Sequence, residues 1–202
     1  IALSAAVVPG AQLVAHVDAA WLRSSTVFGQ ILDLRPTDVA GTPFAELLER
    51  LASFNEACGF ALPDAVTELA VSGNMGREGF VIAARVKVKP AQALACAGVV
   101  RAGGRHTEVA SHDALAWGDG ASGEVAVALE DILLLGPQGK VADIVARIDA
   151  GARAAAEPER AREASEVLSL SLAEQDGASG SNEVVILADE KGLLVRGRLT
   201  HP

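Results

Sequence analysis

Apolar and polar positions along this chain repeat one motif, a β-hairpin that runs directly into a helix. The motif is clearest over residues 68–90, where residues 68–73 and 79–88 read as two strands around a Gly-containing turn. Apolar residues alternate with Arg85 and lysines in the second strand, which indicates a sheet with one face in water. Pro90 then opens a helix, a position where its missing N–H costs nothing.

A second copy of this hairpin closes the chain at residues 183–202, and a shorter relative spans residues 124–137. Aligning the copies matches Gly79 with Gly192 and Arg85 with Arg198. The first copy continues into a helix, whereas the second ends at Pro202. We therefore expect either a lone edge hairpin or, as the favoured interpretation, a native chain that continues beyond this point.

The strongest helical pattern begins at Thr42, which is suited to cap a helix, with Pro43 in the first turn. Apolar residues then recur at spacings of three and four, and Gly59 is a natural end. One face of this predicted helix carries the stripe Phe44, Leu47, Leu48, Leu51 and Phe54.

Shorter elements surround that helix. Residues 12–17 alternate as a strand, and Asp18 is placed to cap a short helix running toward Ile31. Residues 107–136 predict a four-strand meander, followed by a helix over about residues 138–150. The predicted turns of the meander are His112-Asp113, residues 119–123 and Glu130-Asp131.

The C-terminal quarter leaves two interpretations open. Residues 154–175 are rich in Ala, Glu and Arg, which favours a helix, but Leu and Ser alternate through residues 167–173, which is typical of a strand. Residues 1–153 are predicted to form an α+β domain. Residues 154–202 would begin a second, truncated repeat, or add a helix and an edge hairpin to the same domain.

Together these patterns predict an α+β fold with internally repeated hairpin–helix units, in which helices pack on one face of an antiparallel sheet. The chain has 202 residues, half of them apolar, so a real core can form. Only 3% of residues are aromatic and the net charge is −9, so we predict no nucleic-acid partner. No apolar run reaches the length of a membrane-spanning helix.

Cys58 and Cys96 are the two cysteines, each near or within a predicted helix. Two buried free thiols would explain them, since free cysteine packs as a small apolar residue. A disulfide is the favoured interpretation because it would accompany export to an oxidising compartment. The sequence contains no C-x-x-C redox motif.

A search for chemistry finds few convergent residues. His16 and Asp18 share one face of a predicted strand and form a conceivable general-base pair, although a helix-capping Asp explains the same letters. Adjacent turn residues such as Ser111, His112 and Asp113 cannot converge as a triad. Residues 136–140 place glycines and a lysine between strand and helix but lack the spacing of a phosphate loop. The sequence therefore predicts no catalytic, cofactor-binding or metal-binding residues and no cofactor.

The hairpins, with the segments ACGF and ALACAG, resemble uncharacterised bacterial secreted proteins and lipoproteins built from repeated hairpin–helix modules. This resemblance implies an exported, non-catalytic domain of a cell-envelope or secreted protein, with a cytoplasmic location as the alternative. A second hypothesis is a small-ligand carrier or hydrolase-like enzyme that uses His16, Asp18 or Trp117. A third is a protein partner or self-association through the edge hairpin from Glu183 to Thr200.

Overall fold

The computed structural model describes residues 1–24, 37, 52, 55–74, 79–101, 103–120, 123–151, 166–173, 181–189 and 192–200. In the described part, a 3-10 turn at Leu3–Ala6 precedes the helices α1 (Ala19–Ser24), α2 (Leu62–Ala65), α3 (Pro90–Val100) and α4 (Gln138–Asp149), and residues 55–58 are also helical. Ten strands complete the described part: β1 (Leu13–Asp18), β2 (Val66–Gly73), β3 (Phe80–Val86), β4 (Arg105–Val109), β5 (His112–Trp117), β6 (Glu124–Ala128), β7 (Ile132–Pro137), β8 (Glu166–Ala173), β9 (Ser181–Asp189) and β10 (Gly192–Thr200).

All ten strands form one antiparallel sheet in the order β10-β9-β8-β1-β2-β3-β7-β6-β5-β4. Three consecutive meanders therefore lie side by side. The first strand of the chain is central, because β1 pairs with β2 on one side and with the late strand β8 on the other. Among the described strands, β4 and β10 are the two edges of the sheet.

One face of the sheet, here called the α4 face, packs against helix α4 and the N-terminal segment. Val141, Ile144 and Val145 of α4 are fully buried against it. Arg147 of α4 also donates a hydrogen bond from Nη2 to the carbonyl oxygen of Val7 at 2.8 Å, which ties the helix to that segment. The strand residues in this core are small or branched aliphatics: Ala70, Val81, Ala83, Val109, Ala114, Ala116, Val125, Val127, Ile132 and Leu134.

The opposite face, here called the α3 face, carries a smaller core in which Leu94 of α3 packs against Leu115 and Ala126. Successive residues of a strand point to opposite faces, so strands β5 to β7 are apolar on both sides. Both faces of these strands must therefore be buried by other elements, which here are α4 on one face and α3 on the other. The α+β class and the antiparallel sheet are thus confirmed, but the helices lie on both faces rather than on one.

Residues 167–173 belong to strand β8, so of the two interpretations left open for them the strand is correct and the helix is not. Their Leu–Ser alternation gives a strand one apolar face, while β1 and β9 satisfy its backbone on both sides. One turn prediction was wrong. The first meander turn lies at Ala110 and Ser111, with φ of 49° and 70°, and not at His112-Asp113. A two-residue hairpin turn of type I′ has positive φ at both positions, and here residues without the usual Gly or Asn signal adopt it.

Other predictions have mixed outcomes. Of the helix predicted from Thr42 to an end at Gly59, the described residues Ala52 and 55–58 are helical, and Gly59 has a positive φ of 68°. The rest of that helix and the continuation of α1 toward Ile31 lie outside the described residues. The two related hairpins share a detail of register, since Arg85 faces Glu68 in β3–β2 and Arg198 faces Glu183 in β10–β9. However, β2–β3 is central whereas β9–β10 forms one end of the sheet. Equivalent roles for the two hairpins are not confirmed, and the internal repeat stays a prediction.

Candidate functional site

His16 and Asp18 lie on β1, two residues apart and therefore on the same face of the sheet. The Asp18 carboxylate accepts a hydrogen bond from the backbone N–H of Trp21 at 2.8 Å, which caps the first turn of α1. Half-buried His16 sits between Ala70 of β2 and Ser169 of β8 in the strand register. The geometry gives Asp18 a structural task at the start of a helix.

Arg85 is the centre of a charge cluster at the end of β3. Its guanidinium forms an ion pair with Asp131 in the β6–β7 turn, and its Nε lies 3.6 Å from Oε1 of Glu68 on β2. Its Nη2 also donates to the carbonyl oxygen of Ile1 at 2.7 Å. One half-buried cation thus joins three separate segments at the C-terminal end of β3, an arrangement that stabilises the fold rather than forming a catalytic pair of carboxylates.

His112 and His106 do not converge. His112 Nε2 lies 2.9 Å from Oδ1 of Asp149, so this pair joins the start of β5 to the end of α4. His106 is an exposed residue of edge strand β4. Across the part of the chain that the structure describes, no three His, Cys, Asp or Glu side chains are placed to hold a metal ion. Ser111 lies in the turn beside His112, whose ring nitrogen faces Asp149 and not the adjacent Asp113.

Trp117 is packed into a corner between β5 and the end of α3, with 8% of its surface exposed. Its indole N–H donates to the carbonyl oxygen of Arg101 at 3.2 Å, and the Arg101 guanidinium lies 4.8 Å from the ring centroid. Gly104 completes the corner, because a Cβ there would come within 2.9 Å of Nε1. Arg101 also pairs with Glu124 at 2.5 Å. These contacts give Trp117 a packing role.

The residue 136–140 connection turns β7 directly into α4. The backbone N–H of Gln138 donates to the carbonyl oxygen of Gly123 at 2.7 Å, and Lys140 Nζ lies 3.4 Å from the carbonyl oxygen of Gly79. Gly136 is required by close packing, since a Cβ there would lie 2.9 Å from the carbonyl oxygen of Phe80. The segment thus serves as a tight strand-to-helix connection.

Cys58 and Cys96 form a disulfide, with a Cα–Cα distance of 5.4 Å. Residues 55–58 are helical, and Cys96 lies in α3 with 7% of its surface exposed. The bond therefore fixes the end of one helical segment to the helix that covers the α3 face. This confirms the disulfide, which was the favoured of the two interpretations of the cysteine pair.

An apolar patch that sequence patterns did not single out lies on the α3 face, over the central strands. Phe80 is 38% exposed, and its ring lies over Gly73. The ring fits because Gly73 has no side chain; a Cβ on Gly73 would lie only 2.7 Å from Phe80 Cδ1. On the α4 face of the same strands, Val14, Ala70 and Val81 are buried. The patch, here called the Phe80 patch, joins Phe80 to half-buried Leu13, Ala15, Val17, Leu69, Val71 and Ile82. The apolar run that starts at Phe80 is the sequence signal for this patch. Such a run does not show which face of the strand remains partly exposed.

The fold places the chain among α+β proteins with one large antiparallel sheet and helices on both faces. Solved structures of TP0453 have a similar fold. Crystal form III shares 12% identity over 96% of this chain and 78% of that chain, with a TM-score of 0.57. Forms I and IV share 11% and 10% identity over 100% and 94% of this chain and 79% and 76% of those chains, each with a TM-score of 0.55.

At such identities the likeness to TP0453 shows the fold alone. No protein-family model matches the chain. A search of curated proteins also finds no match. Among the described residues, every helix is too short or too polar to cross a bilayer.

Proposed function

We propose that this chain is a non-catalytic binding or scaffold domain of an exported protein. The observation that carries the proposal is the Cys58–Cys96 disulfide. Disulfides persist in secreted, periplasmic and cell-surface proteins and are rare in a reducing cytosol. The acidic balance, with a net charge of −9, agrees with a surface that stays soluble outside the cell and avoids nucleic acid.

The non-catalytic part of the proposal rests on what the chemically capable side chains do. Asp18 caps α1, Arg85 joins three segments at the C-terminal end of β3, and His112 pairs with Asp149 of α4. Each of these groups is used for structure. The hydrolase-like alternative with a site at His16 and Asp18 therefore has no supporting geometry.

A thiol count tests the proposed compartment. Protein taken from its native compartment is denatured without reductant and treated with a thiol-alkylating reagent, and its mass is compared with that of a reduced sample. We expect no alkylation before reduction and two alkylated cysteines, Cys58 and Cys96, after it. Two alkylated cysteines before reduction would end the export proposal.

A small-ligand carrier is the second candidate, and the Phe80 patch is the observation that favours it. A partly exposed group of seven apolar residues on one sheet face is a site where an apolar ligand would lose water-exposed surface. Phe80 would supply the largest part of that contact because it is the most exposed large apolar side chain among the described residues.

A fluorescent apolar probe, 8-anilinonaphthalene-1-sulfonate, tests this second candidate on the folded protein. We expect Phe80→Ser to weaken probe binding severalfold while the far-ultraviolet circular dichroism stays unchanged. Val88→Ser serves as the matched control, since Val88 is half-buried just after β3 and outside the patch. Equal probe binding by the wild type and Phe80→Ser would exclude the patch as a ligand site.

A further inference from the structure

The two ends of the sheet differ in how well they are protected against strand addition. Edge strand β4 is 5 residues long, and Arg105, His106 and Glu108 are exposed along it. Edge strand β10 is 9 residues long and, among the described residues, pairs with β9 alone. A long edge strand offers a row of backbone N–H and C=O groups to an incoming strand, whereas short, charged edges discourage one.

The residue pattern of β10 indicates what kind of strand would fit. Arg196 and Arg198 are two positions apart and lie on the same face of the strand, while Leu193, Val195 and Leu199 occupy the other face. In the β9 register Arg198 faces Glu183, but Arg196 faces Val185. Two Arg positions of β10 thus have one Glu position opposite them in β9, and a strand added to the outer edge of β10 could provide further acidic positions.

A second copy of the chain fits this edge poorly. Residues directly opposite each other in a sheet share a face, so an antiparallel β10–β10 pair in full register would place Arg196 opposite Arg196. The next register that keeps the hydrogen-bonding pattern is two residues away. In one direction it places Arg196 opposite Arg198, and in the other direction it places Arg196 opposite Leu194. Like charges directly opposite are destabilising, and none of these registers supplies a carboxylate.

We propose that β10 is a docking edge for an extended segment of another protein, with Asp or Glu at alternate positions opposite Arg196 and Arg198 and apolar residues between them. Backbone hydrogen bonds to the sheet edge supply affinity in such strand addition, and the alternating side chains supply specificity. The new strand would extend the arrangement in which Glu183 already faces Arg198. This inference deepens the binding role proposed above by naming the class of partner.

Fluorescence anisotropy with the full chain and two fluorescein-labelled peptides tests the proposal. One peptide alternates Val and Glu, and the other alternates Val and Lys. We expect the Glu peptide to bind and the Lys peptide not to bind. Arg196→Glu should weaken binding of the Glu peptide about tenfold, as attraction becomes repulsion at one opposite pair, and Arg196→Gln should give an intermediate loss. Arg105→Glu, on the other edge strand, is the control and should leave binding unchanged.

Backbone amide hydrogen exchange locates the contact, since residues 192–200 should gain protection when the Glu peptide is bound. Absence of binding by the Glu peptide, or binding that Arg196→Glu leaves unchanged, would overturn the proposal. A concentration-dependent dimer by analytical ultracentrifugation that Arg196→Glu strengthens or abolishes would overturn it in favour of a second copy as occupant. The thiol count is independent of all these results, so the export proposal and the docking proposal fail separately.

Discussion

Loss of the Cys58–Cys96 disulfide should cost a large part of the stability of the fold without touching the sheet. The bond links residues that are 38 positions apart, and closing a loop of that length removes entropy from the unfolded chain worth about 4 kcal/mol. Domains of ordinary stability have about 5–15 kcal/mol in total, so the bond represents a large fraction of the whole. The double variant Cys58→Ala/Cys96→Ala removes it without leaving reactive thiols.

Urea unfolding followed by circular dichroism measures this effect. We expect the double variant to lose about 4 kcal/mol of unfolding free energy and to have a larger dependence on urea concentration, because the unfolded chain without the bond exposes more surface. Reduced wild-type protein is the control. It should behave like the double variant, and the double variant should not respond to reductant.

A stability loss below about 1 kcal/mol in the double variant would contradict the loop-entropy argument, which predicts several times more. It would mean that the unfolded chain stays compact around residues 58–96 even without the bond. A loss in the double variant that far exceeds the loss in reduced wild type would instead locate the effect in packing around Cys96, which is buried in α3.

Three further substitutions test single contacts by the same urea assay. Ser72→Ala removes a side chain that is 2% exposed and that accepts a backbone N–H at 2.9 Å, so it should cost about 2 kcal/mol, whereas Ser72→Thr should retain part of the bond. Asp18→Ala removes the cap on the Trp21 N–H and should cost about 1 kcal/mol, with Asp18→Asn close to wild type; an equal loss in both would contradict a capping role. Ala110→Asn combined with Ser111→Gly should raise stability by about 1 kcal/mol, because these residues suit the positive φ of the turn, and a decrease would refute the turn assignment.

Local sequence patterns predicted those elements whose signals are local. The apolar spacing of Val141, Ile144 and Val145 defined α4, and alternation defined the strands around Arg85. The turn at Ala110 and Ser111 escaped prediction because neither residue favours positive φ, and the hairpin register imposes it on them.

The arrangement of the sheet could not be predicted, because it depends on pairings between distant segments. Nothing in the alternation of β8 says that its neighbour is β1 rather than β7, since an alternating strand fits beside any partner with a matching apolar face. The distribution of helices over both faces could not be predicted for the same reason, because it depends on how distant strands are arranged in the sheet. The Phe80 patch likewise becomes visible only when the pairing of β3 with β2 and of β2 with β1 is known.

The place of β1 in the sheet has a consequence for biosynthesis. This strand is synthesised before β8, yet one of its two hydrogen-bonding sides pairs with β8, which follows β7 and α4 in the chain. Until residues 166–173 emerge, a nascent chain carries an open, half-apolar strand at its centre, and such long-range closure makes folding slow. Premature termination before β8 should therefore yield products that aggregate or are degraded.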